Sequence, residues 1–275
     1  MMCSPEEFLE SIRDYDFEKL LKTRNELKKS IKNYESQKDH LNQELMDPSP
    51  DVINSMDKEY LTVVRRRLLD KYPEAYIDAL DGEDQEKEIV CFIDRTIKKV
   101  WNSNLLDDYD DYYLLREDSL KCALYYHLRR KLSFLQKKYD IRIYPEFYVQ
   151  DLKYRADLAI VKVDFEKETK DFRDKVENIL ALVELKFVGG NSQNVLDAVK
   201  RDVTKMHDYY SIRPDTQYYC GVIYEAEFDE LKLIDKRSTN YWADGNLAIL
   251  KAFIKEDYMW FEVENYNHMN EDIKD

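Results

Sequence analysis

The sequence predicts an α/β fold, a mixed central sheet flanked by helices behind an all-helical N-terminal region, and three observations carry that expectation. Apolar residues recur at steps of three and four through the first hundred residues. Past an acidic stretch at Asp107 to Asp111 the texture changes to short runs of β-branched and aromatic residues. Those runs interleave with amphipathic helical segments in the order helix, three strands, helix, strand, which suits a sheet with helices packed on it.

The elements follow in order. From Glu6 to Met46, Leu20, Leu27, Ile31, Tyr34, Leu41 and Leu45 form a helical seam broken by Arg24 and Lys38, fit for a helical hairpin or a short coiled coil. Asp47-Pro48-Ser49-Pro50-Asp51 ends it, because each proline removes a backbone donor and restricts its predecessor. A second helix carries Tyr60, Leu61, Val64, Leu68 and Leu69. A third carries Ile89, Ile93, Ile97 and Val100, with a turn at Asp81-Gly82 between them. The acidic stretch reads as a solvated connector, so residues 1–106 are assigned to a helical region and 107–275 to an α/β domain. In the second part a long helix is expected over Tyr113 to Lys138, with Leu120, Leu124, Leu128 and Leu135 on one stripe. Strands are expected at Ile141 to Val149, Tyr154 to Val163, Leu180 to Val188 and Gln217 to Tyr224, with weaker ones at Leu231 to Ile234 and Tyr258 to Glu264. A helix over Ser192 to Tyr210 is expected to bury Val195, Val199, Val203, Met206 and Tyr210.

Composition bounds the function. No run approaches the roughly 18 apolar residues of a membrane helix, and the start of the chain lacks a basic and apolar leader, so a soluble cytoplasmic protein without membrane contact is expected. Cys3, Cys91, Cys122 and Cys220 are scattered, with neither zinc-ligand spacing nor a disulfide framework. The net charge of −14 opposes nonspecific binding to nucleic acid. That charge is uneven: Glu117 to Tyr210 holds 18 basic and 16 acidic residues, so the segment is close to neutral.

Two apolar strands carry charges where charges are costly. In Ala181-Leu182-Val183-Glu184-Leu185-Lys186-Phe187-Val188, the alternation of a strand puts Glu184 and Lys186 on one face and Val183, Leu185 and Phe187 on the other. Ala156-Asp157-Leu158-Ala159-Ile160 has a lone acid in an apolar run. Burying ions costs several kcal/mol each unless partners compensate, which marks the pair of strands as a candidate site. Carboxylates of Asp157 and Glu184, with the main-chain carbonyl of Leu185, form a hard oxygen set suited to Mg2+ or Mn2+. Such an ion activates water for attack on a phosphodiester, and Lys186 would stabilise the developing negative charge.

An acid on one strand followed by Glu-x-Lys on the next resembles the PD-(D/E)XK nuclease superfamily, whose restriction-endonuclease-like core has the same element order. The resemblance covers Tyr113 to Tyr224. Ala156 stands where the family name implies proline, and a long charged loop from Asp164 to Asn178 lengthens the hairpin between the two strands. Its Lys167, Lys170, Arg173 and Lys175 are placed to touch a phosphate backbone. The resemblance implies a Mg2+-dependent endo- or exonuclease acting on DNA, with the choice between DNA and RNA left open by the residues, in defence against foreign DNA or in DNA maintenance. It also implies accessory roles. Glu117, in register with Leu120, Leu124 and Leu128, is either a further metal ligand or a first-turn acid complementing its helix dipole. Asp202 and Lys205 either face the site from the later helix or form a surface pair.

Other charged positions have simpler readings. Glu146, after Pro145, is expected at a bulge or edge, His127 and His207 read as packing or surface histidines, and Arg65-Arg66-Arg67 reads as a solvated face or a nucleic-acid contact. The heptads of the N-terminal helices read as intramolecular packing more than as a dimeric coiled coil, with a homodimer through them left open by the two sites that double-strand cleavage needs. The alternative function is a catalytically inactive nuclease-fold protein that binds or scaffolds through those helices.

Overall fold

The computed structural model describes residues 3–38, 48–150, 153–189, 194–228, 230–233 and 242–271. Leu41, Leu45, Met46, Asp47, Gly190, Ser192 and Ile234 lie outside the described residues, as does the side chain of Val195. The chain forms two compact units, Met1–Glu88 and Ile89–Asp275.

The first unit is helical: α1 (Pro5–Ser11), α2 (Phe17–Gln37), α3 (Pro50–Lys71), α4 (Pro73–Asp78) and the start of α5 (Gly82–Lys99). Each beginning has a local cause. Ser4 and Glu7 form a reciprocal capping box, Asp16 accepts from the Lys19 amide, and Pro50 and Pro73 open helices where a missing N–H costs nothing. The chain leaves the helix between α1 and α2, so the expected single run from Glu6 is two helices. Arg24, which interrupts the apolar seam in sequence, is buried, and its Nε donates to the Tyr76 hydroxyl at 3.0 Å. The Arg65-Arg66-Arg67 run is not a bare solvated face, since Arg65 pairs with buried Glu88 at 2.6 Å and Arg67 donates to the Arg13 carbonyl.

The second unit is mixed α/β. The remainder of α5 passes through a π-helical turn (Val100–Asn104) into α6 (Leu105–Asp110), then α7 (Glu117–Lys131) and α8 (Ser133–Lys138). The acidic stretch is thus largely helical rather than a solvated connector. Buried Leu105, the Asp108–His127 pair at 2.8 Å and the Tyr109 hydroxyl on Glu225 at 2.9 Å hold it down. The helix expected from Tyr113 begins only at Glu117; Tyr112 sits at φ +62°, outside helical geometry, and the Ser119 hydroxyl accepts the Leu115 and Arg116 amides ahead of the first turn. It also breaks at Leu132.

The sheet has the spatial order β1 (Ile141–Val149), β2 (Tyr154–Val163), β3 (Val176–Gly189), β4 (Gln217–Glu227), β5 (Leu247–Lys255), β6 (Tyr258–Asn265). Pairs β1/β2, β2/β3 and β5/β6 are antiparallel, while β3/β4 and β4/β5 are parallel. Parallel neighbours need a crossover, and α9 (Asn194–Ile212) supplies it between β3 and β4. The pattern did not suggest β5, since a strand buried on both faces reads as a continuous apolar run without alternation. Leu231 to Leu233 are not a strand. Leu231 and Leu233 are buried loop residues flanking an exposed Lys232, and the Leu231 carbonyl accepts from Lys251 at 2.8 Å instead of pairing in a ladder.

One sheet face packs on α9 through Leu182, Cys220 and Val222 against Val199, Val203, Met206 and Tyr209. Tyr209, not the expected Tyr210, takes the fully buried position. On the other face Trp101 and Leu185 close on Gly221, where a Cβ would lie 2.6 Å from Leu185 Cδ2 and 3.1 Å from the Trp101 ring. Among the described residues no helix is long and apolar enough to cross a membrane.

Candidate functional site

Strands β2 and β3 part beyond the pair Leu158 and Val183, as β2 stays with β1 and β3 with β4. Asp157 and Glu184 are the next residues on each strand, so their side chains stand at the opening. The Asp157 carboxylate fills the gap in the ladder: its Oδ2 accepts the Leu185 amide at 2.7 Å, a donor the diverging strand no longer satisfies. Glu184 is the most buried acid here, 3% exposed, and pairs along the sheet with Cys220.

Lysines surround these acids. Lys186 Nζ lies 3.3 Å from Glu117 Oε2, 3.4 Å from Asp202 Oδ2 and 2.9 Å from the Leu185 carbonyl. Lys205 Nζ lies 2.5 Å from Glu184 Oε1 and also donates to the Arg155 carbonyl. Lys121, one turn after Glu117 on α7, pairs with Glu146 and lies 3.7 Å from Asp157 Oδ1. Direct contacts join Glu117, Lys186, Asp202, Leu185 and Asp157 into one network, and Glu184 with Lys205 forms a separate pair beside it on the same strand and helix. Asp202 and Lys205 do not form a surface pair with each other; each reaches inward to a different β3 side chain.

Three participants were not singled out as site residues from the sequence. Lys121 had a usable signal, since it lies four residues after Glu117 and shares its helix face. Glu146 was assigned to a bulge or edge; it sits on the edge strand with φ +52°, and that kink turns its carboxylate toward Lys121. Tyr209 is fully buried, stands edge-on to Tyr154 with ring centroids 6.0 Å apart, and its hydroxyl has no hydrogen-bond partner among the described residues. No spacing rule distinguishes it from Tyr210. His207 lies against Trp242 and takes no part.

The electrostatics follow from burial. Desolvation pushes the Glu184 carboxyl up to about 8, against the pull of Lys205. Burial also raises Asp202 above its ordinary value despite Lys186. For Lys186, burial favours the neutral amine, but the charges of Asp202, Glu117 and Asp157 outweigh it and leave the ammonium above the ordinary lysine value. The Tyr209 hydroxyl is driven upward by burial and by the neighbouring Glu184 charge.

Among the described residues, no three His, Cys, Asp or Glu side chains already sit together as a metal cage. The donor set still fits a hard divalent cation in kind and in charge. Five carboxylates (Glu117, Glu146, Asp157, Glu184, Asp202) face three ammonium groups (Lys121, Lys186, Lys205), so the fully ionised cluster carries two uncompensated negative charges. The orphaned Tyr209 hydroxyl is a further oxygen beside them.

Comparison with protein-family models, with curated proteins and with solved structures finds no match to this chain.

Proposed function

We propose that the second unit is a metal-dependent nuclease of the restriction-endonuclease-like kind, hydrolysing phosphodiester bonds of nucleic acid, DNA in the first instance. One observation carries this reading: Asp157 and Glu184 emerge side by side where two apolar strands part, with Lys186 two residues along on the Glu184 face. Ordinary core strands have no use for such an arrangement, because each buried charge requires a partner. The element order around it, α7, α8, β1, β2, β3, α9, β4, supports the reading.

In this reading Asp157, Glu184 and the Leu185 carbonyl hold Mg2+ or Mn2+, with Glu117 in support. The bound ion supplies Lewis-acid polarisation of the phosphate and a more acidic water. Lys186, fixed by Glu117 and Asp202, presents a permanent positive charge to the phosphate oxygens as negative charge builds on them. The apolar strands keep bulk water away from that charge and so strengthen the interaction. The Asp157 bond to the Leu185 amide ties the two strands together and fixes the spacing of the donors.

The test is cleavage of plasmid and single-stranded DNA with Mg2+ or Mn2+, comparing the native chain with Asp157→Ala and Lys186→Ala. Cleavage lost in both variants supports the reading, and equal activity in all three chains overturns it. A second reading, a nuclease-type fold retained as a binding scaffold, is favoured by one observation: every carboxylate of the cluster already has an ammonium within 4 Å. Metal-independent behaviour and no cleavage by the native chain select it.

A further inference from the structure

At the far end of the β1–β2 ladder lies a cleft of about 440 Å3, bounded by Phe147 and Tyr148 of β1, by Lys167 and Arg173 of the loop between β2 and β3, and by Arg213 after α9. Tyr148 faces Arg155 in the ladder, two residues from Asp157, so the Tyr148 edge of the cleft lies about 7 Å along the strand from the site, while Val176 and Ile179 of β3 form the wall that leads away from it. Resting on the nuclease reading, we infer that this cleft receives one unpaired nucleotide of the strand being cut, so that the preferred substrate is single-stranded.

Size, surface and charge converge on that occupant. The volume falls within the range of small-ligand pockets and suits one nucleotide rather than a base-paired stack. Tyr148 is 37% exposed and offers a ring face to an unstacked base. Lys167, Arg173 and Arg213 stand beside Glu168 and Asp174, and Arg173 is paired with Asp171, so the cleft is close to neutral within a chain of net charge −14. The segment leading into Glu117 carries Asp107, Asp110, Asp111 and Asp118 against Arg116, and so repels a phosphate backbone. A strand crossing Asp157 and Lys186 is thereby directed toward the cleft. A duplex, whose bases stay stacked, has no base to place there and presents its densest charge to an acidic protein.

The experiment is fluorescence anisotropy in EDTA, where binding is read without cleavage, using labelled dT and rU strands of about 15 nucleotides and a duplex of equal length. The native chain is expected to bind at least one of the strands about tenfold or more tighter than the duplex. Tyr148→Ala should weaken strand binding by about 5- to 100-fold and Tyr148→Phe should restore it, since stacking needs the ring and not the hydroxyl. Lys167→Ala should lower the slope of log affinity against log salt by about 0.7. Duplex bound as tightly as both strands, or Tyr148→Ala binding like the native chain, overturns the inference. Tyr148-dependent strand binding without metal-dependent cleavage would overturn the nuclease reading alone. Cleavage with binding indifferent to Tyr148 would overturn the cleft alone.

Discussion

Lys205 of α9 reaches across to β3 and places its ammonium 2.5 Å from Glu184 Oε1, taking the position a cation would occupy beside the most buried carboxylate of the cluster. An ammonium at that distance repels a metal ion brought to the same carboxylate. Lys205 is therefore the polar partner of Glu184 in the metal-free protein and a competitor of the metal.

Lys205→Met is expected to tighten Mn2+ binding, measured by titration calorimetry, while lowering the stability of the metal-free protein. The loss should be about 1–3 kcal/mol by urea unfolding, the usual cost of a buried polar group without its partner. Weaker Mn2+ binding in the variant would show that Lys205 assists the metal rather than opposing it.

The pH dependence of the metal-free protein follows from Glu184. Its folded pKa, about 8, lies above its ordinary 4.5, so the folded state holds a proton that the unfolded state releases over that window. The contribution is fully present below about 4.5 and is lost as pH rises through about 8. Stability should therefore fall with rising pH across this range, by an amount on the order of a few kcal/mol, and Glu184→Gln should flatten the slope. Because Mg2+ binds the ionised carboxylate, its affinity should rise through the same window. An unchanged pH slope in Glu184→Gln would assign the titration elsewhere.

Gly221→Ala is expected to destabilise by about 1–3 kcal/mol, because the added methyl meets two fully buried side chains, Leu185 at 2.6 Å and Trp101 at 3.1 Å. Leu185 lies between Glu184 and Lys186, so the strain should also lower Mn2+ affinity. Calorimetry on the folded variant reads that effect apart from stability.

Lys98→Met is expected to cost about 3–5 kcal/mol and to leave cleavage per folded molecule intact. Its fully buried Nζ is held by Asp94 at 2.8 Å, the Asn265 and Asn267 side chains at 2.5 and 2.8 Å, and the Met269 carbonyl at 2.5 Å. Asp94 in turn accepts from the Tyr219 hydroxyl and Asn267 at 2.8 Å each. Removing one member leaves these oxygens unpaired in the interior, far along the chain from Asp157 and Glu184. Thermal unfolding and an activity assay separate the two effects.

The same sequence feature has two outcomes in this protein, which shows where pattern reading ends. Lys186 and Lys251 are both lysines inside apolar strands. Lys186 meets carboxylates from two helices at the opening between β2 and β3, whereas Lys251 is closed off by Glu262 at 2.6 Å, Glu264 at 3.4 Å and the Leu231 carbonyl. The distinction depends on which strands are neighbours and where they separate.

The sequence by itself determined the mixed α/β class, the helical character of the first hundred residues, five of the strands to within a few residues, and the charges in β2 and β3, because periodicity and the cost of burying ions are local properties of the chain. Only the tertiary structure decided that Asp157 and Glu184 stand together, that Lys121 and Lys205 guard them, that β5 completes the sheet and that Tyr209 rather than Tyr210 turns inward. Each of these depends on strand neighbours and helix rotation, which are set by packing between residues tens of positions apart.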